Sequence, residues 1–177
     1  KVFWGLDSAL AYARHFPAIN WLKSYSLYLD NLNNYYKQEI DEEWPVLRTL
    51  TSSLLQQESD LQEMVRLVGM DALSPKEQLV LEATRSIRED FLHQVAFDEV
   101  DTYTSFKKQY LILKVVLGFY HSGLKWIEQG QDIQEAFKFP VRTKIARLKY
   151  VPEDSLQDIE KVHKEMENLF SKVAVKA

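Results

Sequence analysis

Apolar residues return every three or four positions through most of this 177-residue chain, and that period limits what it can fold into more than any composition figure does. Val46, Leu47, Leu50, Leu54 and Leu55 mark the first long run, and Leu61, Met64, Val65 and Val68 carry it to a stop at Gly69. Asp41, Glu42 and Glu43 suit the positive end of a helix beginning near Trp44, with Pro45 tolerated in its first turn. A second run opens on Ser74-Pro75-Lys76-Glu77: Ser74 is the N-cap, Pro75 the first helical residue and Glu77 the return partner of a capping box. Leu79, Val80, Ala83, Ile87 and Phe91 then share one face. A long helix is expected over 104–129, with Tyr110, Leu113, Leu117, Tyr120 and Leu124 on one stripe and Gly130 ending it; Tyr120 and Trp126 are read as core. Short helical pieces follow over 132–137 and around Val141, Ile145 and Leu148. Pro152-Glu153-Asp154 opens the last helix, striped by Ile159, Val162, Met166, Leu169 and Val173.

The first forty residues read differently. Val2-Phe3-Trp4 is strand-like and has neither a start methionine nor a lead-in, so it reads as the beginning of a cut chain. No later segment offers a strong strand partner, and its sheet is therefore expected outside this sequence. Gly5-Leu6-Asp7-Ser8 supplies a turn and a cap for a short helix over 9–14. Residues 14–26 carry Phe16, Trp21 and Tyr25 but fit neither helical nor strand periodicity; Pro17 fixes its own φ and pushes Phe16 out of the α region, making a stiff hinge whose ring can serve as a wall. Residues 26–38 read as loop passing into helix. The expected fold is thus all-α: a helical bundle over 39–177, preceded over 1–38 by a strand, a short helix and an aromatic hinge.

Composition excludes several classes. A net charge of -4 with interspersed signs gives no basic field for nucleic acid. No apolar run approaches the roughly 20 residues of a membrane span. The absence of cysteine removes disulfides and thiolate metal sites and makes a reducing, intracellular compartment the simpler reading. There is no GxxxxGK[ST] phosphate loop, GxGxxG turn or GxSxG elbow, so no catalytic residue is assigned. Glu160 and His163 match one Glu-x-x-His unit of di-iron bundles, but the nearest second unit, Asp90 with His93, has the wrong acid. Glu160 and His163 also lie off the apolar stripe and are expected to face solvent, so no metal site is assigned. His15 and His121 have no companion at ligand spacing. Lys138, Arg142, Lys144, Arg147 and Lys149 form a basic run, read as a solvated face or as a contact for an acidic partner subunit.

The order of residues from Arg14 to Ser26, followed downstream by Gln94-Val95-Ala96-Phe97-Asp98-Glu99-Val100-Asp101-Thr102-Tyr103, resembles the catalytic A subunits of the V-type and A-type rotary ATPases, and the resemblance runs the length of the chain. It implies that residues 1–38 end the nucleotide-binding α/β domain, that 39–177 is the C-terminal helical domain, and that the phosphate loop and the carboxylate acting on water lie N-terminal to Lys1. Carried over by resemblance, Phe16, Ala96 and Phe97 contact the adenine of ATP, with Gln94, Val100 and Tyr103 as neighbours. An aromatic face suits a base without needing charge. The plain alternative makes Phe16 and Phe97 ordinary core aromatics. Asp71, Ala72, Leu73, Ser74, Pro75, Lys76 and Glu77 align with the loop that F-type beta subunits press on their shaft; with Ala72, Pro75 and Lys76 where more acid is expected, steric pushing is the safer reading, against a plain capped turn. The resemblance further implies ATP or ADP with Mg in the whole subunit and none held tightly by this piece, B subunits in an alternating ring, central shaft subunits, ion transport, and a cytoplasmic position peripheral to the membrane. A free-standing helical interaction module is the alternative, and the unpaired strand weighs against it.

Overall fold

A computed structural model describes the backbone of residues 1–69 and 72–174, and Asp71 falls outside it, as do the side chains of Val68 and Val173. The elements run β1 (Val2–Leu6), α1 (Ser8–Tyr12), β2 (Ile19–Ser26), α2 (Leu29–Glu39), α3 (Trp44–Val68), α4 (Pro75–Ser86), a π turn (Ile87–Leu92), α5 (Phe106–Glu128), α6 (Ile133–Phe137), α7 (Val141–Ile145), 3₁₀ turns at Leu148–Tyr150 and Glu153–Ser155, and α8 (Gln157–Ala174). Among the described residues the chain is predominantly helical, as the period required, with one two-stranded sheet.

The sheet corrects one expectation. β1 pairs antiparallel with β2, in a register placing Phe3 opposite Tyr25 and Leu6 opposite Ile19, with an irregularity between Phe3 and Gly5. The partner strand is the second half of the aromatic stretch, which was expected to be a non-periodic hinge. Its residues are of strand-forming type, and the Phe3 and Tyr25 rings stack at 5.7 Å. Asp7 caps α1 through the Ala9 and Leu10 amides and accepts a hydrogen bond from Asn20 Nδ2 at 2.8 Å, which ties the cap to β2. The segment expected to pass from loop into helix is almost wholly the helix α2.

The bundle is built around α5. Tyr110, Ile112, Leu113, Val115, Val116, Leu117, Phe119 and Trp126 are all buried, so several sides of this helix meet protein. It packs against α3, α4, α8 and the π turn. Leu54, Leu79, Ile87, Ile159 and Met166 bring the facing surfaces, each fully buried aliphatic chain contributing about 1.5–3 kcal/mol relative to exposure. Phe119, Trp126, Phe139 and Phe170 meet edge to face at one end. Helix ends follow the sequence signals. Gly69 and Gly130 adopt positive φ after α3 and α5, and Ser74 with Glu77 forms the full capping box of α4. Asp41 does not cap α3; Glu43 is the N-cap, and the Asp41 carboxylate accepts the Glu43 amide. The face begun by Leu79 does not end as an α-helix but widens into the π turn over Ile87–Leu92, where the His93 amide reaches back to the Arg88 carbonyl.

Candidate functional site

The two segments singled out by sequence, 78 positions apart, are joined by one backbone hydrogen bond. The Gln94 amide donates to the Phe16 carbonyl at 2.7 Å. Phe16 precedes a cis peptide bond to Pro17, and Gln94 follows directly on the end of the π turn. Beside this link, His15 Nε2 lies 3.0 Å from the Arg88 carbonyl and Nδ1 3.3 Å from that of Pro17, while the His15 and His93 rings stand 5.0 Å apart. Burial, with the Lys149 charge next, holds His93 below the usual histidine range.

Downstream of Gln94 the chain folds into a loop held by its own acids. Asp98 Oδ1 accepts the amides of Val100 and Asp101, each at 2.9 Å. The buried Asp101 accepts the Val95 amide at 2.6 Å, and Gln94 Nε2 donates to the Asp101 carbonyl at 2.8 Å. So fixed, the loop presents Ala96, Phe97 and Tyr103 outward. The Phe97 ring is fully exposed and Phe16 is half-exposed, which disposes of the reading that both are core aromatics. Val100 and Gln94 are half-buried behind them. A cavity of about 250 Å³ under the loop is lined by Pro17, Gln94, Asp101, Thr104, Gln109 and Lys149; neither Phe16 nor Phe97 is in its wall.

The stretch aligned with a shaft-facing loop joins α3 to α4. Leu73 is buried and anchors it, while Ala72, Ser74, Pro75 and Lys76 are exposed. The Glu77 carboxylate accepts hydrogen bonds from the Ser74 amide and hydroxyl, both at 2.7 Å, and the hydroxyl holds it below the usual carboxylate range. That charge is engaged within the turn.

Two other expectations are corrected. Glu160 faces solvent as expected, but His163 is only partly exposed. Its Nε2 would stand 3.1 Å from a Cβ placed on Gly118, because that glycine leaves room for α8 to approach α5, and burial pushes the imidazole below its usual range. Among the described residues no three of His, Asp and Glu converge on a metal position. The basic run is a solvated face only in part: Lys138, Lys144 and Arg147 are exposed, while Arg142 and Lys149 turn inward. Arg142 pairs with Glu82 and lies 4.9 Å over the Phe119 ring, Lys144 pairs with Glu165 at 2.6 Å, and Lys149 is buried. The inward turn of Arg142 and Lys149 has no local sign in the sequence, because the groups they meet lie on α4, α5 and the π turn.

Comparison with known proteins agrees with this arrangement. The family model described as the C-terminal domain of V and A type ATP synthase matches residues 33–137. The chain therefore belongs to the V- and A-type ATP synthase family and contains its C-terminal domain. It is similar to the V-type ATP synthase alpha chain of Acetivibrio thermocellus, 58% identical over 177 residues covering 97% of this chain and 30% of the relative. The alpha chain of Thermoanaerobacter pseudethanolicus is 57% identical over 94% of this chain and 28% of its own length. That of Clostridium botulinum is 51% identical over 99% and 30%. The chain thus spans about 30% of the length of the curated relatives it matches. Among the described residues, no helix is long and apolar enough to cross a membrane.

Proposed function

We propose that in the whole subunit this chain supplies the adenine side of an ATP site and that its helical body carries closure of that site to a central shaft. Phe16 and the loop bearing Ala96, Phe97 and Tyr103 form the base wall, with Gln94 and Val100 behind it. The observation that carries the reading is the Gln94 to Phe16 hydrogen bond, which couples the hinge to an otherwise solvent-facing aromatic loop. A fully exposed phenylalanine on a loop locked by two aspartates is suited to stacking on a flat heterocycle. Phosphate-handling groups and the carboxylate acting on water belong to sequence outside this chain. ATP or ADP with Mg is bound by the whole subunit, and this chain alone is inactive. The stretch of residues 71–77, of which 72–77 are described, pushes on the shaft sterically, consistent with the engaged Glu77 carboxylate. B subunits alternate with this subunit in a ring, and rotation is coupled to proton or sodium transport by a membrane sector that the chain itself touches only indirectly, from the cytoplasmic side.

The pairing of β1 with β2 removes the unpaired strand as an argument against a free-standing interaction module. What opposes that module is the concentration of exposed apolar side chains on the N-terminal segment, Trp4, Leu6, Tyr12 and Leu27 foremost, a surface that asks for a covering domain. The test is Phe97→Ala in the full-length subunit. Loss of one stacking partner weakens nucleotide binding by about 1–3 kcal/mol. The melting temperature stays unchanged, because the ring is fully exposed. Unchanged affinity contradicts the reading, and so does equal nucleotide affinity of the full subunit and of this chain alone.

A further inference from the structure

Lys108 has no exposed surface at all, although a lysine is almost never fully buried without a partner. Its ammonium donates to the Lys149 carbonyl at 2.7 Å. Lys149, itself buried, donates through Nζ to the carbonyls of Glu89 at 2.7 Å and His93 at 2.9 Å. These are carbonyls that the π turn leaves without an onward helical donor, and a cation is favoured at such an end. The next residue is Gln94, whose amide holds Phe16. Two lysines in series therefore connect the first turn of α5, the 3₁₀ turn at Leu148–Tyr150, the end of the π turn and the start of the aromatic loop. Burial holds the Lys108 ammonium below the usual lysine range, opposed by the carboxylates of Glu153 and, on the loop, Asp101 and Asp98.

Stability alone is a poor reason for this arrangement, since buried charges are often replaced by apolar groups of equal volume at no loss. The two ammonium groups do something an apolar side chain does not: they fix backbone carbonyls in place. Stacking tolerates any base, so discrimination between purines has to come from polar groups set at the base edge, and the loop backbone after His93 carries groups of that kind.

We propose that Lys108 and Lys149 are positioning residues for the nucleotide base, setting the loop from Gln94 to Tyr103 against Phe16 and thereby fixing the preference for one purine over another. The proposal rests on the base-site reading above. Its test uses the full-length subunit in its assembled complex, with ATP and GTP as substrates. Lys149→Met and Lys108→Met are expected to raise the KM for ATP about tenfold, more than they change kcat, and to lower the ATP-over-GTP ratio of kcat/KM at least about fivefold. Lys149→Arg, which keeps the donors, is expected to restore most of that ratio. Should Lys149→Met fail to assemble, Lys149→Gln, which keeps one donor group, is expected to show an intermediate loss of discrimination. A lower melting temperature with the ATP-over-GTP ratio unmoved overturns the proposal. Phe97→Ala separates the two levels: if it raises the KM while the lysine variants leave the ratio alone, the positioning role fails and the base site stands; if it leaves the KM for ATP untouched, the base site itself fails.

Discussion

At the scale of single residues, burial shapes the acid-base behaviour more than charge pairing does. His163, His121 and His93 are each held below the ordinary histidine value of 6.5, first of all by desolvation. The unfolded chain takes up protons at these rings near 6.5, whereas the folded chain does so only at lower pH. The unfolded state therefore binds more protons in that window, and stability present above it is lost as pH falls. Glu58 and Asp90 are raised by burial and act in the opposite sense, but nearer the carboxylate range. The melting temperature of the chain is expected to fall between about pH 7.5 and pH 6, and the slope to flatten in His163→Gln. A melting temperature that rises on acidification over that interval contradicts the assignment. None of this was legible in the sequence: His163 lay off the apolar stripe, and only the missing side chain of Gly118 lets α8 bury it.

At the scale of elements, local signals and structure agree wherever a helix carries its own punctuation. The capping box at Ser74, the proline after it and the glycines after α3 and α5 act over one turn and need no tertiary information. Ser74→Ala is expected to cost about 0.5–2 kcal/mol, read as a lowered melting temperature, while leaving α4 in place. A variant as stable as the parent shows that Leu73, buried just before the cap, anchors the turn unaided. β2 was illegible for the opposite reason. A two-stranded sheet exposed on much of both faces imposes no alternation, so Ile19 to Ser26 show no period of two, and only strand-forming residue types hint at it. The π turn was equally silent, because its carbonyls are satisfied by a lysine some sixty positions downstream, Lys149 to Glu89.

At the scale of the whole molecule, a hinge-bearing N-terminal segment sits on a bundle with its own core, joined where His15 and Phe16 meet Arg88, His93 and Gln94. The pair of half-buried Arg88 with buried Glu58 at 2.6 Å and a cavity of about 480 Å³ beneath α1 lie along the same joint. A rigid bundle attached in this way can swing as one body and move the aromatic loop with it, which is the motion the proposed coupling needs. The residues of the candidate base wall were found by resemblance and not by pattern; the structure adds the backbone link between them and the lysines behind them. The most direct test is photolabelling of the full-length subunit with an azido-adenine ATP analogue, followed by mapping of the modified peptides. Label on the peptides holding Phe16 and residues 96–103, competed away by ATP, is the expected result. Label confined to other parts of the subunit contradicts the account.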